Sequence, residues 1–84
     1  MSRGPYEARF AREVGLAVRE LAADDGKDLR AALEQATADP WSWPQADRYD
    51  LDDTVRVVTT PAAIAHYAIL PEPPHLWVFA ITVL

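Results

Sequence analysis

Residues 75–84 read His-Leu-Trp-Val-Phe-Ala-Ile-Thr-Val-Leu, and this stretch limits the folds available to the chain. Its aromatic and β-branched residues are typical of a β-strand. Apolar residues occupy both sets of alternate positions, so we expect both faces of the strand to be hydrophobic. Strict alternation separates the side chains into two groups: Leu76, Val78 and Ala80 on one face, and Trp77, Phe79 and Ile81 on the other.

Only one of these two faces can pack against helices of the same small domain. The other face needs a cover, because monomers rarely expose an apolar patch of that size. We predict that this cover is a partner protein or a second copy of the chain, which would form a homodimer through the C-terminal strand.

Two shorter runs before this stretch also predict strands. Residues 54–60 are rich in β-branched side chains and predict one strand, and residues 64–70 predict a second. Pro61-Ala62-Ala63 makes a turn between them, and Pro71-Glu72-Pro73-Pro74 is a rigid connection to the last strand. Strands so close in sequence usually pair with each other, so we expect an antiparallel meander.

The first half of the chain has the helical period instead. One apolar stripe recurs at i, i+4, i+7, i+8 and i+11: Phe10, Val14, Ala17, Val18 and Leu21. Asp24-Asp25-Gly26 breaks this pattern, and a second stripe runs until Asp39-Pro40 ends it. An Arg30–Glu34 pair at i, i+4 would lie on the exposed side of the second helix. The sequence thus predicts an α+β domain, in which a two-helix hairpin packs on one face of a small antiparallel β-sheet.

The start of the chain permits two interpretations. Residues 6–10 alternate large with small or charged side chains, as a short strand would, but the stripe through Phe10 could equally extend the first helix backwards. The packing of the two helices is more definite. We expect Leu21 and Leu33 both to be fully buried between the helices and the sheet.

The composition describes one small acidic domain, residues 1–84, with residues 1–5 as a flexible tail. The 84 residues include no cysteine, which excludes disulfides, thiolate metal sites and thiol nucleophiles. The net charge of −5 lacks the basic surplus of a free-standing nucleic-acid binder. No apolar segment has the length of a signal peptide core or a membrane span. We therefore expect a soluble cytoplasmic protein that does not contact a membrane.

Three clusters are candidates for chemistry. Trp41-Ser42-Trp43-Pro44 is a loop that either recognises a nucleic-acid base or a partner or, as we favour, plugs the gap between helix and sheet. Four aspartates between positions 47 and 53 lack the spacing and the glycine of a calcium loop, so we interpret them as a solvated acidic loop. His66 is a possible general acid or base, whereas we expect His75 to be inert. No metal or other cofactor is expected.

Residues 6–10 read Tyr6-Glu7-Ala8-Arg9-Phe10 and run on to Leu21. This segment resembles the strand of the form Tyr-x-x-x-Phe that leads into the first helix of toxins of the RelE/ParE superfamily. Tyr67 resembles the tyrosine of the family's Arg-x-x-Tyr strand, and residues 75–84 resemble its last strand. The resemblance covers residues 6–84 and implies the element order β-α-α-β-β-β.

The resemblance implies a component of a type II toxin–antitoxin pair, neutralised by a cognate antitoxin. In the RelE branch such a toxin cleaves mRNA in the ribosomal A site, and in the ParE branch it inhibits DNA gyrase. For RNA cleavage, Arg56 would stabilise charge, His66 would carry the proton and Arg48 would contact a phosphate. The chain departs from the family where Ile64 replaces its strand arginine and where Leu84 ends the sequence without a polar terminal residue.

We therefore expect a RelE-like toxin that is a weak mRNA endoribonuclease. The alternatives are a non-catalytic interaction module with a toxin-like fold and a ParE-like gyrase inhibitor, neither of which needs catalytic residues.

Overall fold

The structure, a computed structural model, describes residues 6–46 and 52–84. It contains four strands and two helices: β1 (Glu7–Phe10), α1 (Arg12–Glu20), α2 (Ala23–Ala38), β2 (Val55–Thr59), β3 (Ala63–Pro71) and β4 (Pro74–Val83). The order β-α-α-β-β-β and the α+β class are those predicted. The predicted tail, the predicted RNA contact Arg48 and two of the four aspartates, Asp47 and Asp50, lie outside the described residues.

The sheet is mixed, which corrects the prediction of an antiparallel sheet. Its strand order is β1-β4-β3-β2. The three C-terminal strands form the predicted antiparallel meander, but β1 pairs with β4 in parallel, with Glu7 opposite His75 and Phe10 opposite Val78. Residues 6–10 were compatible with either a short strand or an extension of the first helix, and the structure shows the strand. The helices connect β1 at one edge of the sheet to β2 at the other.

The boundary between the helices differs from the prediction. The chain turns at Leu21 and Ala22, and the acidic pair that was expected to break the helix lies in the first turn of α2. Negative side chains are favourable there because the amino end of a helix carries a partial positive charge. Gly26 is buried within α2, and a Cβ at this position would lie 3.6 Å from the Arg30 guanidinium. Arg30 thus folds back toward Gly26, and the expected ion pair with Glu34 is not formed.

The helices cover one face of the sheet only. α1 contributes Val14 and Val18 to the core, and α2 contributes Leu29, Leu33 and Ala36. They pack against the side chains that β2, β3 and β4 direct to this face, namely Val58, Ala65, Tyr67, Ile69, Leu76 and Val78. Leu33 is buried as predicted. Leu21 is only half-buried, because it follows the last turn of α1, so the prediction of full burial was wrong for this residue.

A β-bulge in β4 changes which face of the sheet the side chains after Val78 point to. His66 pairs with Ala80, whereas the next residue of β3, Tyr67, pairs with Val78, so Phe79 is an extra residue in β4. Beyond the bulge the alternation is reversed. Ile81 packs against the core and Ala80 turns to the outer face, which corrects the strict alternation expected for these two residues.

The burial of Leu33 predicts a large loss of stability in Leu33→Ala, about 2–5 kcal/mol in the free energy of unfolding, because the change leaves a cavity in the core. Leu16 on α1 is 48% exposed and provides the matched control. Leu16→Ala should cost less than about 1 kcal/mol. Urea unfolding followed by tryptophan fluorescence measures both values, and similar losses for the two variants would contradict this packing.

Candidate functional site

Arg56 lies on β2 with its guanidinium held by the fold. Its Nε donates a hydrogen bond to the carbonyl oxygen of Asp53 at 2.9 Å, and Nη1 donates to the carbonyl of Trp43 at 3.1 Å. The guanidinium carbon lies 4.8 Å from the centroid of the Trp41 ring, within the range of a cation–π interaction. These contacts join the start of β2 to the loop that follows α2.

The tryptophan loop is anchored at its first residue. Pro40–Ser42 forms one turn of 3-10 helix, and the Pro40 carbonyl accepts a hydrogen bond of 2.6 Å from the buried Tyr67 hydroxyl. Trp43 is half-buried and packs against the core, as expected for a loop that plugs the gap between helix and sheet. Trp41 remains 48% exposed. It therefore covers Arg56 rather than the core.

The side chain of Tyr67 lies beside Arg56 and the tryptophan loop, and this environment keeps its phenol protonated. Burial raises the pKa of Tyr67 to about 12, partly opposed by the positive charge of Arg56 and reinforced by the negative charge of Asp39. At neutral pH the hydroxyl is consequently a hydrogen-bond donor to Pro40. Its role here is to fix the loop to β3.

His66 lies on the other face of the sheet. Successive residues of a strand point to opposite faces, and His66 is next to Tyr67, which points into the core. His66 lines a shallow cavity of about 380 Å³ together with Ile64, Val57, Thr59 and residues 44–46. Its ring centroid is 6.3 Å from that of Phe79. His75 lies at the β3–β4 turn, where its Nδ1 hydrogen-bonds to the carbonyl of Pro73 at 2.6 Å.

The structure does not bring the two predicted catalytic residues together. In the sheet Arg56 pairs with Tyr67, and His66 pairs with Val57. Paired residues share a face, so the guanidinium lies on the helical side and the imidazole on the outer side. Ile64, the residue in place of the family's arginine, is on the same side as His66.

The described part of the acidic loop is organised by hydrogen bonds. The Asp52 carboxylate accepts hydrogen bonds from the Thr54 hydroxyl at 2.6 Å and the Thr54 backbone N–H at 3.0 Å. These bonds stabilise the charged form and lower the pKa of Asp52. Within residues 6–46 and 52–84, no three acidic or histidine side chains are placed to hold a metal ion.

Two groups of contacting side chains in the structure were not predicted from the sequence. The contact between Arg56 and Trp41 joins residues far apart in the chain, and no local spacing indicates it. The second is a groove where β1 meets the two helices, and its lining includes Arg19 and Arg30. The recurrence of Arg12, Gly15 and Arg19 at i, i+3 and i+7 places them on one face of α1 and could have drawn attention to that groove.

The chain matches no family model, no curated protein and no solved structure. Among the helices of the described residues, none combines the length and the apolar character needed to cross a membrane.

The contacts of Arg56 predict a stabilising role. In Arg56→Lys the ammonium cannot make both carbonyl hydrogen bonds and stack on Trp41, so the free energy of unfolding should fall by about 1–3 kcal/mol. Arg9→Lys is the control. Among the described residues Arg9 forms an ion pair only with exposed Glu7, at 3.3 Å, so this change should alter stability by less than about 1 kcal/mol. Urea unfolding at pH 7 distinguishes the two variants. Equal effects would show that the Arg56 contacts do not stabilise the fold.

The raised pKa of Tyr67 predicts a loss of stability at alkaline pH. The unfolded phenol loses its proton near pH 10, before the folded one near 12, so folding becomes less favourable as the pH rises through this interval. By pH 11.5 the decline in the free energy of unfolding should reach about 2 kcal/mol. Unfolding measured between pH 8 and 11.5 should show it in the unmodified protein and in Tyr6→Phe, but not in Tyr67→Phe. An identical decline in Tyr67→Phe would assign it to other groups.

Proposed function

We propose that the chain is a RelE/ParE-like component of a type II toxin–antitoxin pair that acts in the cytoplasm by binding proteins, its cognate antitoxin among them, rather than by cleaving RNA. Two features support the family. The element order β-α-α-β-β-β is the one the resemblance implies, and the size of the chain agrees with it. Tyr67, which resembles the tyrosine of the family's strand motif, is on β3 in the centre of the fold.

The positions of Arg56 and His66 are the main reason that we favour protein binding over RNA cleavage. Cleavage of RNA at the 2′-hydroxyl requires a positive group and a proton carrier at the same phosphate, because each missing donor costs about 10²–10³ in rate. Here the two side chains lie on opposite faces of the sheet. Two carbonyls and a tryptophan ring already engage the guanidinium. Beside His66, Ile64 provides no charge.

The outer face of the sheet supports protein binding. Both helices pack on the opposite face, so within residues 6–46 and 52–84 no helix covers the side chains that β3 and β4 direct outward. Trp77 is 38% exposed, Leu70 is similarly exposed, and Phe79 and Ile64 are half-buried. Exposed aromatic residues surrounded by apolar side chains are frequent at protein interfaces. This surface accords with the predicted partner or second copy on the last strand.

One experiment separates binding from catalysis. The purified protein is added to a reconstituted translation reaction, and cleavage of a reporter mRNA is mapped by primer extension. We expect no cleavage above background from the unmodified protein, since the required groups are separated. Codon-specific cleavage that is lost in His66→Ala, with the folded state retained, would overturn the proposal in favour of the endoribonuclease.

The binding function has its own test. The chain is co-expressed with the product of the reading frame adjacent to its gene, and co-purification is measured. Trp77→Glu should reduce the recovered partner about tenfold or more, because a charge would be buried in an apolar contact. Ala31→Glu, at an exposed position of α2, is the matched control and should leave recovery unchanged. Absence of any complex, or equal recovery with both variants, would contradict a partner on this face.

A further inference from the structure

A groove of about 470 Å³ lies where β1 meets the two helices. Phe10 of β1 and Gly15 and Val18 of α1 form an apolar floor, and Arg19 of α1 and Arg30 of α2 provide the charged part of its lining. A Cβ at Gly15 would lie 3.8 Å from the Cβ of Phe10, which is an ordinary van der Waals contact, so a methyl group fits on the floor at this position. The groove is on the helical side of the sheet, apart from the outer face and from the cavity beside His66.

The two arginines of the groove are exposed, and within residues 6–46 and 52–84 neither forms an ion pair. Arg30 has Glu34 one turn away on α2, yet its guanidinium folds back toward Gly26 instead. Arg12 lies on the same face of α1 as Gly15 and Arg19 by helical spacing. Two guanidinium groups thus line an apolar floor, with Arg12 on the same face of α1, in a chain whose net charge is −5.

The neighbouring edge of the sheet offers backbone hydrogen bonds. The Ala11 N–H bonds to the Val78 carbonyl of β4 at 3.0 Å, so the preceding residue, Phe10, directs its backbone groups away from β4, as does Ala8. An edge strand with free N–H and C=O groups can accept another extended segment. A segment bound there would place alternate side chains beside Phe10, at the floor of the groove.

We propose that this groove binds an extended acidic segment of a partner protein, in which the alternate side chains that face the groove include both apolar residues and glutamate or aspartate. The segment pairs with β1, its apolar side chains contact Phe10 and Val18, and its carboxylates bind Arg19 and Arg30. Guanidinium groups suit this role because they bind carboxylates through two parallel hydrogen bonds. A peptide with a few carboxylates is favoured over a nucleic acid, because the acidic surface of the chain repels a long polyanion. The proposal does not depend on a toxin-type function.

The test uses the full chain and a fluorescent ten-residue peptide in which every second residue is leucine or glutamate in turn and the residues between them are threonine, so that one face of the strand presents both leucine and glutamate. A matched peptide has glutamine in place of glutamate, and a ten-nucleotide single-stranded RNA serves as the competing polyanion. Fluorescence anisotropy gives the affinities at low and physiological salt, and perturbation of the Phe10, Gly15 and Val18 amides in NMR spectra locates the site. We expect the acidic peptide to bind at least about tenfold more tightly than the glutamine peptide, with weaker binding at higher salt.

The variants assign that binding to the groove. Arg19→Gln combined with Arg30→Gln should lower the affinity at least about tenfold, whereas Lys27→Gln, an exposed cation on α2 outside the groove, should have little effect. Gly15→Glu should abolish binding by placing a carboxylate in the groove, and Gly15→Ala should retain it. Equal binding of the two peptides, equal effects of the Lys27 and double-arginine variants, or tighter binding of the RNA would overturn the proposal.

Discussion

The fold depends on the pairing of β4 along both of its edges. β4 pairs antiparallel with β3 and parallel with β1, so the last strand of the chain lies inside the sheet. Leu76 and Val78 are completely buried against the helices as a result. Because β4 is central, β1 and β2 become the edge strands, and the helices must connect one edge to the other across a single face. The other face then exposes Trp77 and its neighbours.

Periodicity in the sequence was enough to predict the layers of this fold. The change from a helical period to alternation separates the two helices from the meander, and the apolar stripe of α2 correctly indicates a buried Leu33. Alternation fails at Phe79, because a bulge is set by the pairing with β3 and leaves no mark in β4 alone. The acidic pair at the start of α2 was misinterpreted for a related reason. Such residues favour both turns and first helical turns, and only packing decides between them.

The candidate site was harder to predict than the fold, since residue type does not specify the face of a sheet. Arg56 and His66 both lie in the predicted strands, yet the register of β2 against β3 places them on opposite sides. A shift of one residue in that register would reverse the result. The groove where β1 meets the two helices was also only partly predictable from the sequence. Spacing along α1 groups Arg12 with Arg19, but Arg30 joins them only through the packing of α2 against β1 and α1.

The pairing of β1 with β4 also determines the order in which the protein can form during synthesis. β1 and both helices leave the ribosome well before residues 74–83, which supply the neighbour of β1 and part of the surface beneath the helices. Contacts between segments so distant in sequence require closure of a long loop, which slows folding. Until β4 arrives, β3 has one unpaired edge and the helices have an incomplete core. The nascent chain therefore passes through a stage in which apolar side chains await the final strand, and chaperone binding at that stage would protect it from aggregation.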